Sequence, residues 1–226
     1  MEFMLDTANL GLIKKYHEIT PLVGVTTNPS ILTKEGDINL FEHLKHIRKI
    51  IGQNASLHVQ VVSENFENMM KDAKTILEKV DKDVYIKVPV SEEGLKVIKA
   101  LKAEGVNVSA TTIYTQMQGY LAIAAGADYI IPYYNRMENQ NINPDEVLSD
   151  LANAILSTNS SCKILAASFK NIGQVNKALE VGTHAVTVGA DVFEQTFTMP
   201  AINKAVSDFT LDWTKHFGSE KKIYNL

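Results

Sequence analysis

Residues 83–90 read DVYIKVPV, a run of aliphatic and β-branched side chains interrupted at one place by a lysine, Lys87. A short apolar run of this kind predicts a strand, here over 83–89, covered on both faces as the strands of a parallel sheet are. Similar runs lie on either side: 2–6 (EFMLD), 22–26 (LVGVT), 56–62 (SLHVQVV), 107–112 (NVSATT), 127–132 (ADYIIP), 163–168 (KILAAS) and 184–188 (HAVTV). With 83–89 they make eight predicted strands.

The intervening segments have the period of helices. In 64–80, Phe66, Met69, Met70, Ala73, Ile76, Leu77 and Val80 fall on one stripe at three- and four-residue spacing. Segment 91–103 starts at Ser91, an N-cap residue, with Glu92 and Glu93 in the first turn, where they interact favourably with the helix dipole. It stops at Gly105, and two further helical segments stop at Gly126 and Gly182, in each case with a strand resuming about two residues later. Asn143-Pro144 opens another helix. Parallel neighbours need a crossover helix, so strict alternation with eight strands predicts a closed (β/α)8 TIM barrel, one domain over 1–226. An open doubly wound sheet is disfavoured, because no glycine-rich phosphate loop follows the first strand. The last part, about 200–226, is read as a C-terminal helix with an amphipathic stripe (Ile202, Val206, Phe209, Trp213) that reaches a neighbouring subunit, then KKIYNL as an extension.

Composition removes several function classes. Net charge is −4 with both signs interspersed, which leaves no electrostatic footprint for nucleic acid. The single cysteine, Cys162, rules out an internal disulfide and fits a reducing, cytoplasmic setting. Residues 1–10 lack a basic region and carry Asp6 in the apolar stretch, so no signal peptide is expected, and no apolar run is long enough to span a membrane. The histidines (17, 43, 46, 58, 184, 216) are scattered without metal-ligand spacing, which argues against a zinc-dependent enzyme. Ser168 has no nucleophile-elbow context.

In barrels of this kind the reacting groups sit where strands end. The polar residues closing the runs are Asp6, Thr26-Thr27-Asn28, Gln60, Lys87, Thr111-Thr112, Tyr133 with Asn135-Arg136, and Ser168. A lysine in an apolar strand loses hydration of its ammonium, its pKa falls, and the free amine becomes a nucleophile for carbonyls. The plainer alternative is a lysine at a strand edge whose stem is covered and whose head reaches solvent. Arg136 and Ser168 suit a phosphate dianion, although Arg136 alone fits a surface ion pair equally well. Asp6 either orients a substrate hydroxyl or caps the helix that follows.

These residues stand in stretches that resemble the transaldolase family: LDTAN (5–9), GVTTNPSI (24–31), VQVV (59–62), IKVPV (86–90), EGLKVIKALKAEG (93–105), PYYNR (132–136) and AASFK (166–170). The resemblance runs along nearly the whole chain, and the short length is similar to the small subfamily of fructose-6-phosphate aldolases and compact transaldolases. Gln60 and Tyr133 are aldolase-like, where transaldolases carry glutamate and phenylalanine. Val188-Gly189-Ala190, at the end of strand eight, is smaller than in the aldolases, a departure that bears on the pocket rim and thus on the donor and acceptor range.

The resemblance implies a class I aldolase that needs no cofactor and no metal. Lys87 would form the imine with fructose 6-phosphate; Tyr133 would move protons through a water held by Gln60 and Thr111. Asp6 and Asn28, with Thr26 in the same set, would hold the dihydroxyacetone hydroxyls, and Arg136 with Ser168 the phosphate. It further implies sugar phosphates as partners and a homo-oligomer, a decamer of two pentameric rings. The rival readings are a transaldolase passing a dihydroxyacetone unit between sugar phosphates of the pentose phosphate route, a barrel that binds sugar phosphates without catalysis, and another Schiff-base aldolase, which GVTTNPS disfavours.

Overall fold

The computed structural model describes residues 1–226. Its eight strands are β1 (Glu2–Asp6), β2 (Leu22–Thr26), β3 (Ser56–Gln60), β4 (Tyr85–Pro89), β5 (Val108–Ile113), β6 (Tyr129–Pro132), β7 (Lys163–Ala166) and β8 (Ala185–Val188). They pair in parallel in chain order, and β8 pairs with β1, so the sheet closes as a barrel. Around it run α1 (Leu10–Ile19), α2 (Pro29–Leu32), α3 (Leu40–Ile51), α4 (Phe66–Lys79), α5 (Glu92–Ala103), α6 (Gln116–Ala124), α7 (Tyr134–Glu138), α8 (Pro144–Ser157), α9 (Ile172–Glu180), α10 (Ala190–Phe197) and α11 (Pro200–Phe217). No helix is long and apolar enough to cross a membrane.

The local signals act as expected of them. Ser91 accepts from the Gly94 N–H and Asn143 from the Asp145 N–H, each satisfying a donor that a first turn leaves open. Gly105, Gly126 and Gly182 sit at φ 75°, 89° and 98°, the left-handed cap that relieves the C-terminus of a helix. Several strands start one or two residues later than the sequence predicts, and two others end earlier. β3 stops at Gln60 because the Val62 and Ser63 N–H groups turn away to Asp72 Oδ2, at 3.0 and 2.9 Å. β7 stops at Ala166; Ala167 makes only a single bridge to Tyr133, and Ser168 adopts φ 65°, which a strand cannot hold.

Strand side chains alternate between two environments. Leu5, Val25, Leu57, Val59, Ile86, Val88, Ala110 and Val186 face outward and merge with the helices into the main core. Met4, Tyr129, Ile131, Leu165 and Ala185 fill the barrel. Among them His58 is completely buried, stacked on Tyr85 with ring centroids 4.7 Å apart. Its Nδ1 lies 2.8 Å from Ser109 Oγ and its Nε2 2.9 Å from Ser56 Oγ. Burial first, and the charge of Lys87 second, hold it well below the usual imidazole range, so the ring is neutral with both nitrogens satisfied.

The C-terminal helix behaves differently from the rest. α11 has no buried residue, and Val206 and Phe209 are 60% and 74% exposed. The final segment is a hook rather than a free extension: the Trp213 indole N–H donates to the Lys221 carbonyl at 2.7 Å, and residues 223–225 form a 3-10 turn.

One helix–strand approach fixes β4. A Cβ on Gly94 of α5 would lie 1.8 Å from the Pro89 carbonyl oxygen. Gly94→Ala is expected to cost roughly 1–3 kcal/mol, read as a lower thermal midpoint by about 2–4 °C per kcal/mol; an unchanged midpoint would refute so close a contact.

Candidate active site

At the C-terminal ends of the strands lies a cavity of about 290 Å³ lined by Asp6, Asn28, Lys87, Tyr133, Arg136 and Ser168, together with Ser30, Ile31, Lys34, Ala167, Phe169, Lys170, Thr187, Gly189 and Asp191. More apolar hollows occur elsewhere, such as the one between Phe3, Val175, Leu179 and Phe193. They hold no comparable set of ionisable groups.

Lys87 is 3% exposed, so it is no strand-edge lysine. Its Nζ donates to the Thr27 carbonyl at 2.8 Å. Burial draws its pKa below the ordinary 10.5, and Asp6 opposes that shift. Asp6 is subject to the converse effect: burial raises its pKa, while Lys87 and a hydrogen bond from Thr26 act against it. Thr26 Oγ1 donates to Asp6 Oδ1 at 2.6 Å. Having used its single proton there, it must accept from Thr187 Oγ1, also at 2.6 Å. Asp6 does not cap α1; Asn9 does, accepting from the Leu12 N–H.

Tyr133 lies directly after β6, and its phenol oxygen is 2.8 Å from Thr111 Oγ1. Burial raises its pKa, partly offset by Thr111 and by Arg136, so at neutral pH it carries a proton. The Arg136 guanidinium sits 4.7 Å from the centre of the Tyr133 ring. It joins none of the chain's ion pairs, so the surface-pair alternative fails. Asn28 uses its side-chain oxygen to cap α2, accepting from the Ile31 N–H at 3.0 Å, and lines the cavity as it does so.

Six of the nine sequence-predicted site residues therefore share one cavity, and Thr26 and Thr111 each hydrogen-bond to one of the six. Gln60 is placed less directly. It pairs with Lys87 in the β3–β4 ladder and is half-buried, but it does not line this cavity.

The cavity also gathers residues that sequence reasoning missed. Lys34 and Lys170 add positive charge at the rim, and Thr187 extends the hydrogen-bond chain from Asp6. Both lysines follow strand ends, after β2 and after β7; basic residues in those loops were the available signal. A side chain on Gly189 would meet Asp191 Oδ1 at 2.5 Å, so the small end of β8 makes room for that carboxylate at the rim. The loops are tied together by Gln174, which accepts from the Lys170 N–H at 2.7 Å and donates to Asn135 at 3.1 Å and to Glu138.

This arrangement couples an amine stripped of its hydration to a protonated phenol, a half-buried carboxylate and an unpaired guanidinium. It can attack a carbonyl, hold hydroxyls and receive an anion.

Comparison with known proteins agrees. The transaldolase/fructose-6-phosphate aldolase family model matches residues 3–223. A probable fructose-6-phosphate aldolase of Streptococcus pneumoniae (strain ATCC 700669 / Spain 23F-1) is 60% identical over 213 residues, 94% of this chain and 96% of that protein. With a match of that extent and these strand-end residues around one cavity, the chain belongs to the transaldolase/fructose-6-phosphate aldolase family.

Proposed function

We propose that this protein is a class I aldolase that reversibly cleaves fructose 6-phosphate to dihydroxyacetone and glyceraldehyde 3-phosphate. The observation that carries the reading is the enclosure of the Lys87 amine, its pKa lowered by burial, in the same cavity as Asp6, Tyr133 and Arg136. The lysine attacks the C2 ketone and water is expelled, leaving an imine. The C3–C4 bonding electrons flow into that imine as the C4 hydroxyl gives up its proton and the aldehyde departs. The resulting enamine takes a proton at C3, and hydrolysis returns the amine. Tyr133, protonated and aligned by Thr111, is the proton carrier beside the reacting carbons. Gln60, next to Lys87 in the sheet, would hold the water through which that proton moves. Asp6, braced by Thr26, holds the hydroxyls of the three-carbon fragment together with Asn28, and Arg136 with Ser168 receives the phosphate.

We also place the enzyme in the cytoplasm as a homo-oligomeric ring, a decamer of two pentamers in keeping with its resemblance to the family. The thiol of Cys162 is buried and pushed up to about 12, which suits a protein that makes no use of disulfide chemistry. α11, which has no buried residue and leaves Val206 and Phe209 exposed, is the element that would reach the neighbour.

Borohydride added with dihydroxyacetone is expected to fix a mass adduct on the peptide carrying Lys87; no adduct there would end the Schiff-base reading. The trapping rate should rise with pH, because the free amine increases as pH passes upward through the lowered pKa, and it should level off below 10.5. Over the same window the unfolded chain keeps the proton that the folded one has lost, so stability also rises with pH. Lys87→Met should flatten both trends and cut cleavage by about a thousandfold or more. Fructose 6-phosphate alone should release dihydroxyacetone; strict dependence on an added aldose would instead make the enzyme a transaldolase. Val206→Asp combined with Phe209→Asp is expected to yield lighter particles in light scattering, and an unaltered mass would exclude α11 from the interface.

A further inference from the structure

Tyr114 lies just beyond β5 and does not line the cavity, yet it touches two residues that do. Its ring meets that of Tyr133 edge-on, with centroids 5.7 Å apart and planes at 83°. Its hydroxyl accepts from Arg136 Nη1 at 3.4 Å. Because Arg136 also lies over the Tyr133 ring, the three side chains form a closed triangle, with Arg136 its one cationic corner.

The backbone is bent to put it there. Thr112 adopts φ 61°, a left-handed conformation that β-branched residues disfavour. The β5–β6 register slips between Ala110 and Ile113 at the same point. Before the bend, Thr111 points inward to the Tyr133 phenol; after it, Tyr114 reaches the side of the same ring. The Tyr114 N–H is then pinned by Gln118 Oε1 of α6 at 2.8 Å, and its side chain packs against both the barrel interior and the outer core. Strained backbone of this kind clusters where a side chain has to be aimed.

The choice of a hydroxyl has an electrostatic meaning. A carboxylate partner would fix the guanidinium more tightly but would neutralise it, whereas a phenol fixes its direction and leaves its charge for a ligand. We propose that Tyr114 is a positioning residue, holding Arg136 aimed and uncompensated at the phosphate end of the cavity while bracing the ring of Tyr133. The inference rests on Arg136 receiving the phosphate of the substrate, as in the function proposed above.

The test uses the full chain and inorganic phosphate as probe in titration calorimetry, with Arg136→Gln as the reference for loss of the site. Tyr114→Phe keeps the ring and removes the hydroxyl. It should weaken phosphate binding roughly three- to tenfold, the range of one net hydrogen bond, and raise KM for fructose 6-phosphate by a similar factor with much less effect on kcat. Tyr114→Leu also removes the ring, so kcat should fall as well. Equal phosphate affinity in Tyr114→Phe and the unmodified protein, or no phosphate binding by the latter, would overturn the proposal. Weaker phosphate binding in Tyr114→Phe, with no cleavage by the unmodified protein, would uphold the positioning role and remove the aldolase reading alone.

Discussion

The hydrogen bond from the Lys87 amine to the Thr27 carbonyl, made inside a closed sheet, is the contact on which the rest of the site depends. A carbonyl oxygen accepts from either protonation state of the lysine, so it orients the nitrogen without restoring the hydration that burial removes. Alternation along β4 does the rest. Ile86 and Val88 go to the outer core, and the residue between them has nowhere to point but the barrel axis. The strand is held in turn by the approach of Gly94 to Pro89, so the direction of a reactive amine traces back to the absence of a side chain on α5.

The barrel interior is stratified in a way that serves this amine. Around it sit Asp6, Thr26, Thr111, Tyr133 and Thr187, joined in two short hydrogen-bond chains. Below lie Met4, Ile131, Leu165 and Ala185, with His58 among them. A protonated imidazole there would add a second cation to a medium that screens poorly, and burial prevents it. Asp6 is thus the nearby acid that favours a charged lysine, and desolvation weakens that influence by raising its own pKa.

Much of this was legible in the chain because it depends on local order. Strand–helix alternation, helix-ending glycines and the caps at Ser91 and Asn143 act over a few residues, and they placed the barrel and the strand ends that carry Lys87, Asp6 and Tyr133. What could not be read were effects of the closed ring. Lys34 and Lys170 lie far apart in sequence and line one cavity only because β2 and β7 open onto the same mouth. His58 looked like one of several scattered histidines, although its alternation with Gln60 in LHVQ already pointed it inward. The ends of β3 and β7 were misjudged because Asp72, from a helix, captures two strand N–H groups, and because Ser168 takes a backbone angle that no propensity favours.

α11 has a thermodynamic consequence of its own. A helix of 18 residues that buries no residue gains little from its own barrel, and in proteins most of a helix's stability comes from packing an amphipathic face. In the oligomer proposed above, a neighbouring subunit would supply that packing, and any such contact would enter the folding equilibrium by mass action. The heat resistance of this protein would then be a function of how much of it is in the tube, and dilution would act on it as a denaturant does on a monomer.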